Sequence, residues 1–141
     1  GQRLSQATGV GRDRIGSRLP PELADARATL EKYASELAQA SDYVLRKFGK
    51  GVVDRQYELK RIADIAIDLF VGLCTLSRAS TLAAEKDPHA AKAIEIANVF
   101  VQQAKRRMAG NIRRLTKHED KEIDAIAGFA LERGGYPWDV I

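Results

Sequence analysis

Apolar residues recur at steps of three and four along most of the chain, the spacing that places side chains on one face of an α-helix. The first such run predicts a helix that begins within residues 19–23, Leu-Pro-Pro-Glu-Leu, where Pro21 suits the first helical turn. It ends at residues 49–51, Gly-Lys-Gly, because glycine readily adopts the left-handed conformation that terminates a helix. The apolar positions of this helix are Leu23, Ala26, Leu30, Tyr33, Leu37, Val44 and Phe48.

Two longer runs follow. The second helix is predicted over about 53–84, and its central turns are apolar on several sides, so we expect it to contact more than one neighbour. The third opens with Asp87 as N-cap and Pro88 in the first turn, and continues to Leu115 unless residues 110–111, Gly-Asn, end or bend it.

A fourth, shorter helix is predicted over about 119–133, with glycines at 134–135 as its stop. Trp138, in the tail that follows, is expected to pack back onto the helices. Short connections imply antiparallel neighbours, so the predicted fold class is all-α, an up-down-up-down four-helix bundle over residues 20–141. The residues of the fourth helix expected to face inward are Ile123, Ile126, Ala130 and Leu131.

Residues 1–19 differ in composition from the rest. They hold four glycines, four arginines and one acidic residue, which favours a flexible basic leader. The alternative is a segment that contacts anionic lipid. Every mainly apolar run of about 20 residues contains charged residues, so no membrane-spanning helix is expected. The candidate membrane-contacting residues are Arg3, Leu4, Arg12, Arg14, Ile15 and Arg18.

The composition and the positions of the histidines, the cysteine and the basic cluster argue against a metal centre, a reactive thiol and a nucleic-acid site. A net charge of +4, with 45% hydrophobic and 30% charged residues, is typical of a folded domain with a weakly basic surface. His89 and His118 lie near predicted helix ends without Glu-x-x-His spacing, so we expect no metal centre. Cys74 is predicted to be a small core residue. The basic cluster at 105–114 has no interleaved aromatic residues, which favours a solvated helix end over a nucleic-acid contact.

One set of charges inside the apolar second helix is ordered. Arg61, Asp64 and Asp68 begin a series that advances by three or four residues and forms one largely polar stripe. Asp64 and Asp68 are like charges four residues apart, and a cation from another element would relieve their repulsion. The stripe either faces water or faces another domain or subunit. The candidate docking or bracing residues are Arg61, Asp64, Asp68 and Arg78.

The block from about Phe48 to Ser80 resembles the C-terminal helical extension of very-long-chain acyl-CoA dehydrogenases and of their close mitochondrial paralogue. The turn at residues 47–51, the sequence RIADIAIDL at 61–69 and LSRAS at 76–80 carry the resemblance. The flanking PEL at 21–23 and ALERGG at 130–135 occur in matching order.

This resemblance implies a domain of a larger protein, and the start at Gly1 without an initiator methionine agrees with a fragment or a processed product. Such enzymes are FAD-dependent oxidoreductases that oxidise long acyl-CoA thioesters in fatty acid β-oxidation and pass electrons to electron-transfer flavoprotein. The resemblance places their FAD site and catalytic base in preceding domains, so it assigns no catalytic, cofactor-binding or metal-binding residue here. It implies a homodimeric parent on the matrix side of the inner mitochondrial membrane.

Three functions remain open at this point. The first is a non-catalytic docking and dimer-supporting domain of an acyl-CoA dehydrogenase, or of its paralogue in complex I assembly. The second is a free-standing helical adaptor. The third is a membrane-surface or nucleic-acid module led by the basic leader. The resemblance favours the first, with the catalytic domains of the same chain as partner and no nucleic acid.

Overall fold

Residues 19–138 are described in the computed structural model, and their regular structure is entirely helical. The all-α fold class with four helices is confirmed. The leader residues expected to contact a membrane, Arg3 to Arg18, lie outside the described residues. Two short 3₁₀ helices, Pro21–Leu23 and Gly49–Asp54, lie before and after the first α-helix. The α-helices are α1 (Ala24–Phe48), α2 (Gln56–Ala84), α3 (Ala90–Arg114) and α4 (Asp120–Arg133).

The helix ends lie close to the predicted stop signals. Gly49 adopts a φ of +53° directly after α1, and Gly134 adopts a φ of +73° directly after α4. The backbone N–H of Gly135 donates to the carbonyl of Ala130 at 2.9 Å, which closes the last turn of α4. Asp87 Oδ1 accepts a hydrogen bond from the backbone N–H of His89 at 2.7 Å, just before α3.

Three boundaries differ from expectation. Helix α3 begins at Ala90 with His89 as its N-cap residue, so the prediction of Asp87 as the N-cap is wrong. Residues 49–54 form their own 3₁₀ helix, so α2 begins at Gln56 rather than at 53. Residues 110–111 do not interrupt α3, which continues to Arg114. Gly110 is tolerated inside α3 at a cost in helix propensity of about 1 kcal/mol, and packing on both sides of it keeps the helix continuous.

The core is formed by α1, α2 and α3, which pack against one another. Gly72 lies where α1 and α2 come closest, since a Cβ built on it would lie 2.8 Å from Leu30 Cδ2. The main buried cluster contains Leu23, Ala26, Leu30, Tyr33, Ile65, Leu69, Leu76, Ala79, Ala97, Val101, Ala104 and Met108. Leu19, the last residue of the predicted leader, packs against this cluster.

The fourth helix does not bury its apolar residues as predicted. Ile123, Ile126 and Leu131 are exposed, Leu131 to 82%, and Asp120 is the buried residue of α4. The expectation that these residues face inward is therefore wrong. Trp138 is 64% exposed and stacks on Phe129 at a centroid distance of 6.5 Å, so it packs on α4 rather than on the core. The three other helices already enclose one another's apolar stripes, and α4 is attached through polar contacts instead.

The second helix is apolar on both of its sides, as its sequence predicts. Ile65 and Leu69 face the core, while the opposite side exposes Ile67, Phe70, Val71, Leu73 and Cys74, which we call the α2 apolar face. Cys74 is thus exposed, and its prediction as a core residue is wrong. Within residues 19–138, no helix is long and apolar enough to cross a membrane.

Candidate docking surface

The polar stripe of α2 is divided among three environments. Arg61 and Asp68 are largely covered and form ion pairs with other helices, whereas Asp64 pairs within α2. Arg78 is exposed and has no ion pair in the part of the chain that the structure describes. The spacing of these residues therefore identifies one stripe on the helix but does not identify one common partner.

Arg61 joins α2 to the first turn of α4. Its guanidinium donates two hydrogen bonds to the Asp120 carboxylate, from Nη2 to Oδ1 at 2.6 Å and from Nη1 to Oδ2 at 2.8 Å. Only 11% of the Arg61 side chain and 10% of the Asp120 side chain are exposed. The hydrogen bond from Arg61, together with its charge, lowers the pKa of Asp120, and His118 Nδ1 at 3.1 Å from Oδ2 acts in the same direction.

A second contact lies one helical turn earlier on α2 and one helical turn later on α4. The Tyr57 hydroxyl donates to Asp124 Oδ1 at 2.8 Å, and this hydrogen bond raises the pKa of Tyr57 above its ordinary value. We call these two contacts, Arg61–Asp120 and Tyr57–Asp124, the α2–α4 latch. Because the apolar residues of α4 are largely exposed, the latch is the main attachment of α4 that the described residues provide.

Asp68 joins α2 to α3. Arg107 donates from Nη2 to Asp68 Oδ1 at 2.7 Å and from Nε to Oδ2 at 3.1 Å. This pair raises the pKa of Arg107, mainly through the hydrogen bond. The Arg107 guanidinium also lies 5.6 Å from the centre of the Phe100 ring, a cation–π distance. The cation expected from another element is thus Arg107, which the sequence alone did not identify.

Arg61 does not pair with Asp64, although the two lie three residues apart on α2. Lys60 Nζ lies 2.7 Å from Asp64 Oδ2, one turn along the same helix and exposed to water. Such exposed pairs contribute about 0.3–0.5 kcal/mol. Asp120, Asp124 and Arg107 were missed because their pairing depends on how helices meet, and the sequence carries no local signal for that.

Next to these charges lies a groove between α2 and α3, with a volume of about 570 Å³. Asp68 and Arg107 are in its wall, and Ile67 makes it continuous with the α2 apolar face. We call it the α2–α3 groove, and its lining residues are Lys60, Asp64, Ile67, Asp68, Arg106, Arg107, Gly110, Asn111 and Arg114.

An exposed apolar surface on a folded domain indicates a site of contact with another protein surface or a membrane. Phe70 is 68% exposed, and Ile67 and Leu73 are each exposed by more than half. They share one side of α2 with Cys74, because Ile67, Phe70 and Leu73 follow one another at steps of three residues and Cys74 lies four residues after Phe70. The α2 apolar face, flanked by the charged α2–α3 groove, is the candidate docking surface.

Comparison with known proteins identifies the relatives of this chain. The family model described as ACAD9/ACADV, C-terminal domain, matches residues 21–136. The mouse (Mus musculus) very long-chain specific acyl-CoA dehydrogenase, mitochondrial, is 28% identical over 141 residues, covering 96% of this chain and 22% of its own length. The human (Homo sapiens) protein of the same name is 27% identical over 141 residues, and the match covers 96% of this chain and 22% of the human protein. The chain spans about a fifth of the length of these curated relatives. The resemblance inferred from the sequence is confirmed.

Proposed function

The chain belongs to the family of ACAD9/ACADV C-terminal domains, and from this premise we propose that it is a non-catalytic docking domain. The parent would be a flavin-dependent, mitochondrial acyl-CoA dehydrogenase that acts on long-chain or very-long-chain acyl-CoA in fatty acid β-oxidation. The observation that carries the proposal is the α2 apolar face, a strip of large apolar side chains on the longest helix that none of the described helices covers.

The length of the relatives supports an occupant from the same polypeptide. Nearly four-fifths of the mouse relative lies outside the part that matches this chain. A domain surface that exposes Phe70 and Leu73 would gain about 25 cal/mol for each Å² of apolar area that such a segment removes from water. The proposed partner is therefore the catalytic part of the parent chain, and the docked parent would form a homodimer.

Within this proposal, the charged stripe has two roles. Arg61 and Asp68 brace the domain, because each connects α2 to another helix through a two-pronged ion pair. Asp64 and Arg78 are more exposed and would contact the docked surface. A brace of this kind keeps the apolar face of α2 in a fixed orientation relative to α3 and α4.

We assign no part of the flavin chemistry to this chain. Six of the nine residues that line the α2–α3 groove are charged, and Ile67 is the one large apolar side chain among them, which does not suit an isoalloxazine ring. FAD would bind in the remainder of the parent. The names of the relatives include the word mitochondrial, which supports a mitochondrial location. Attachment to the matrix face of the inner membrane, through the arginines of the leader, is a further part of the proposal.

A matched pair of leucines tests the docking role. Leu73 lies on the α2 apolar face and is 58% exposed, while Leu45 on α1 is 56% exposed. Leu73→Asp in the full-length parent should lower its melting temperature and weaken its dimer, whereas Leu45→Asp should change neither. Both variants of the 141-residue chain should remain folded by circular dichroism. Equal effects of the two substitutions in the full-length protein would exclude the α2 apolar face as the docking surface.

A further inference from the structure

The α2–α3 groove has an excess of positive charge. Four cationic and two anionic side chains line it, giving a net charge of +2. Asp64 is paired with Lys60 and Asp68 with Arg107. Arg106 and Arg114 have no ion pair among residues 19–138. The groove therefore has two cationic side chains available to an incoming anion.

Arg107 and Arg114 have further N–H donors at the groove, which both residues line. Arg107 uses Nε and Nη2 for Asp68, which leaves its Nη1 without a described partner. The Arg114 guanidinium folds back along α3, with its Nη1 only 3.6 Å from the position of a Cβ built on Gly110. The exposed Arg114 side chain thus lies along the groove wall beside Gly110.

Asn111 provides an independent observation. Only 9% of its surface is exposed, and it is one of the residues that line the groove. Its side-chain amide forms no hydrogen bond with the described residues, and no fully buried side-chain N or O among them lacks a partner, so this amide reaches solvent. A largely buried residue of the groove wall whose amide has no partner in the chain can donate a hydrogen bond to an oxyanion bound there.

We propose that the α2–α3 groove binds the phosphoryl group of a phosphate monoester, through Arg106, Arg107, Arg114 and the amide of Asn111. The charge of a phosphoryl dianion equals the excess charge of the groove, whereas a single carboxylate would neutralise half of it. Arginine forks bind phosphate oxygens in pairs. The groove volume of about 570 Å³ falls within the range of about 300–1,000 Å³ that small-molecule sites occupy. This site does not depend on the docking role.

The test uses the 141-residue chain and nuclear magnetic resonance. Inorganic phosphate and ADP are titrated at constant ionic strength while the amide signals of Gly110 and Asn111 are followed, with acetate as the control anion. We expect saturable shifts with phosphate and ADP. Arg114→Gln and Arg106→Gln should each weaken binding at least about tenfold, because each removes charge-assisted hydrogen bonds. Asn111→Asp should abolish binding by placing a carboxylate in the groove.

Arg113→Gln is the matched control, since Arg113 precedes Arg114 on α3, is exposed and does not line the groove. It should bind like the unmodified chain. Phosphatidic acid vesicles distinguish the source of the phosphoryl group. Sedimentation that Arg114→Gln abolishes and Arg113→Gln preserves would identify a lipid headgroup, and ADP binding alone would identify a soluble ester. Absence of saturable shifts with every probe, equal binding of acetate, or equal loss in Arg113→Gln would overturn the proposal.

Discussion

At the scale of single residues, Leu69 and Lys92 show how differently two positions of the chain respond to truncation. Leu69 belongs to the buried cluster, and Lys92 is exposed on α3. Leu69→Ala should cost about 2–5 kcal/mol of unfolding free energy through lost burial and the cavity it leaves. Lys92→Ala should cost less than about 0.5 kcal/mol. Urea denaturation measures both values, and similar costs would contradict the burial of Leu69.

Asp68 is a buried carboxylate whose charge Arg107 neutralises. Asp68→Asn should leave the 141-residue chain folded and reduce its stability by about 1–3 kcal/mol, because Arg107 loses a charge-assisted acceptor and remains half exposed to water. In the full-length parent, the Asp68→Asn substitution should weaken assembly or heat stability without changing the rate of flavin turnover per folded molecule. The opposite result, full stability with lost turnover, would place Asp68 in the active site.

Only part of the residue-scale picture could be predicted from the sequence. Spacing alone located Arg61, Asp64 and Asp68 on one stripe, because helical periodicity fixes which residues share a face. It could not identify Asp120 or Arg107 as their partners, which lie 59 and 39 residues away in sequence. It also misplaced Cys74, because an apolar neighbourhood in sequence does not distinguish the two apolar sides of α2.

At the scale of elements, the α2–α4 latch makes the attachment of α4 sensitive to acid. The pKa of Asp120 in the folded chain is below its ordinary value because of the hydrogen bond from Arg61. Its stabilising contribution is therefore complete above about pH 4, the unfolded value, and is lost as the pH falls through the folded pKa. Hydrogen exchange should show α4 losing protection in this acid range before α1, α2 and α3 do.

One variant tests this prediction and a second serves as its control. Asp120→Asn should expose the amides of α4 already at neutral pH and remove the acid dependence, since no carboxylate remains to be protonated. Asp42→Asn removes an exposed pair with Arg46 inside α1 and should leave α4 unchanged. If α4 stays protected in Asp120→Asn, apolar packing rather than the latch holds it.

The existence of the helices and most of their ends were predictable, since proline, glycine and apolar periodicity act within one or two turns. The packing of α4 was not. An amphipathic stripe such as Ile123, Ile126 and Leu131 indicates that a surface is available for burial, but it does not indicate what covers it. In this chain the stripe remains exposed, and a polar latch holds the helix.

At the scale of the whole molecule, the 141-residue chain should bind no flavin. Its sequence has no Gly-rich phosphate loop that follows a strand, and the groove that is present is lined by charges. The purified chain should show no absorbance near the flavin bands and no acyl-CoA oxidation with a dye acceptor. Stoichiometric FAD on this chain would contradict the assignment of flavin chemistry to the rest of the parent.

The central claim is that the α2 apolar face is covered by another part of the parent protein, and Cys74 provides a direct probe of it. Cys74 is the one cysteine of this chain and is exposed on that face. Maleimide labelling followed by peptide mass spectrometry measures its reactivity in the 141-residue chain and in the full-length parent. Docking predicts rapid labelling in the chain alone and strong protection in the parent. Equal labelling rates in both would contradict the claim.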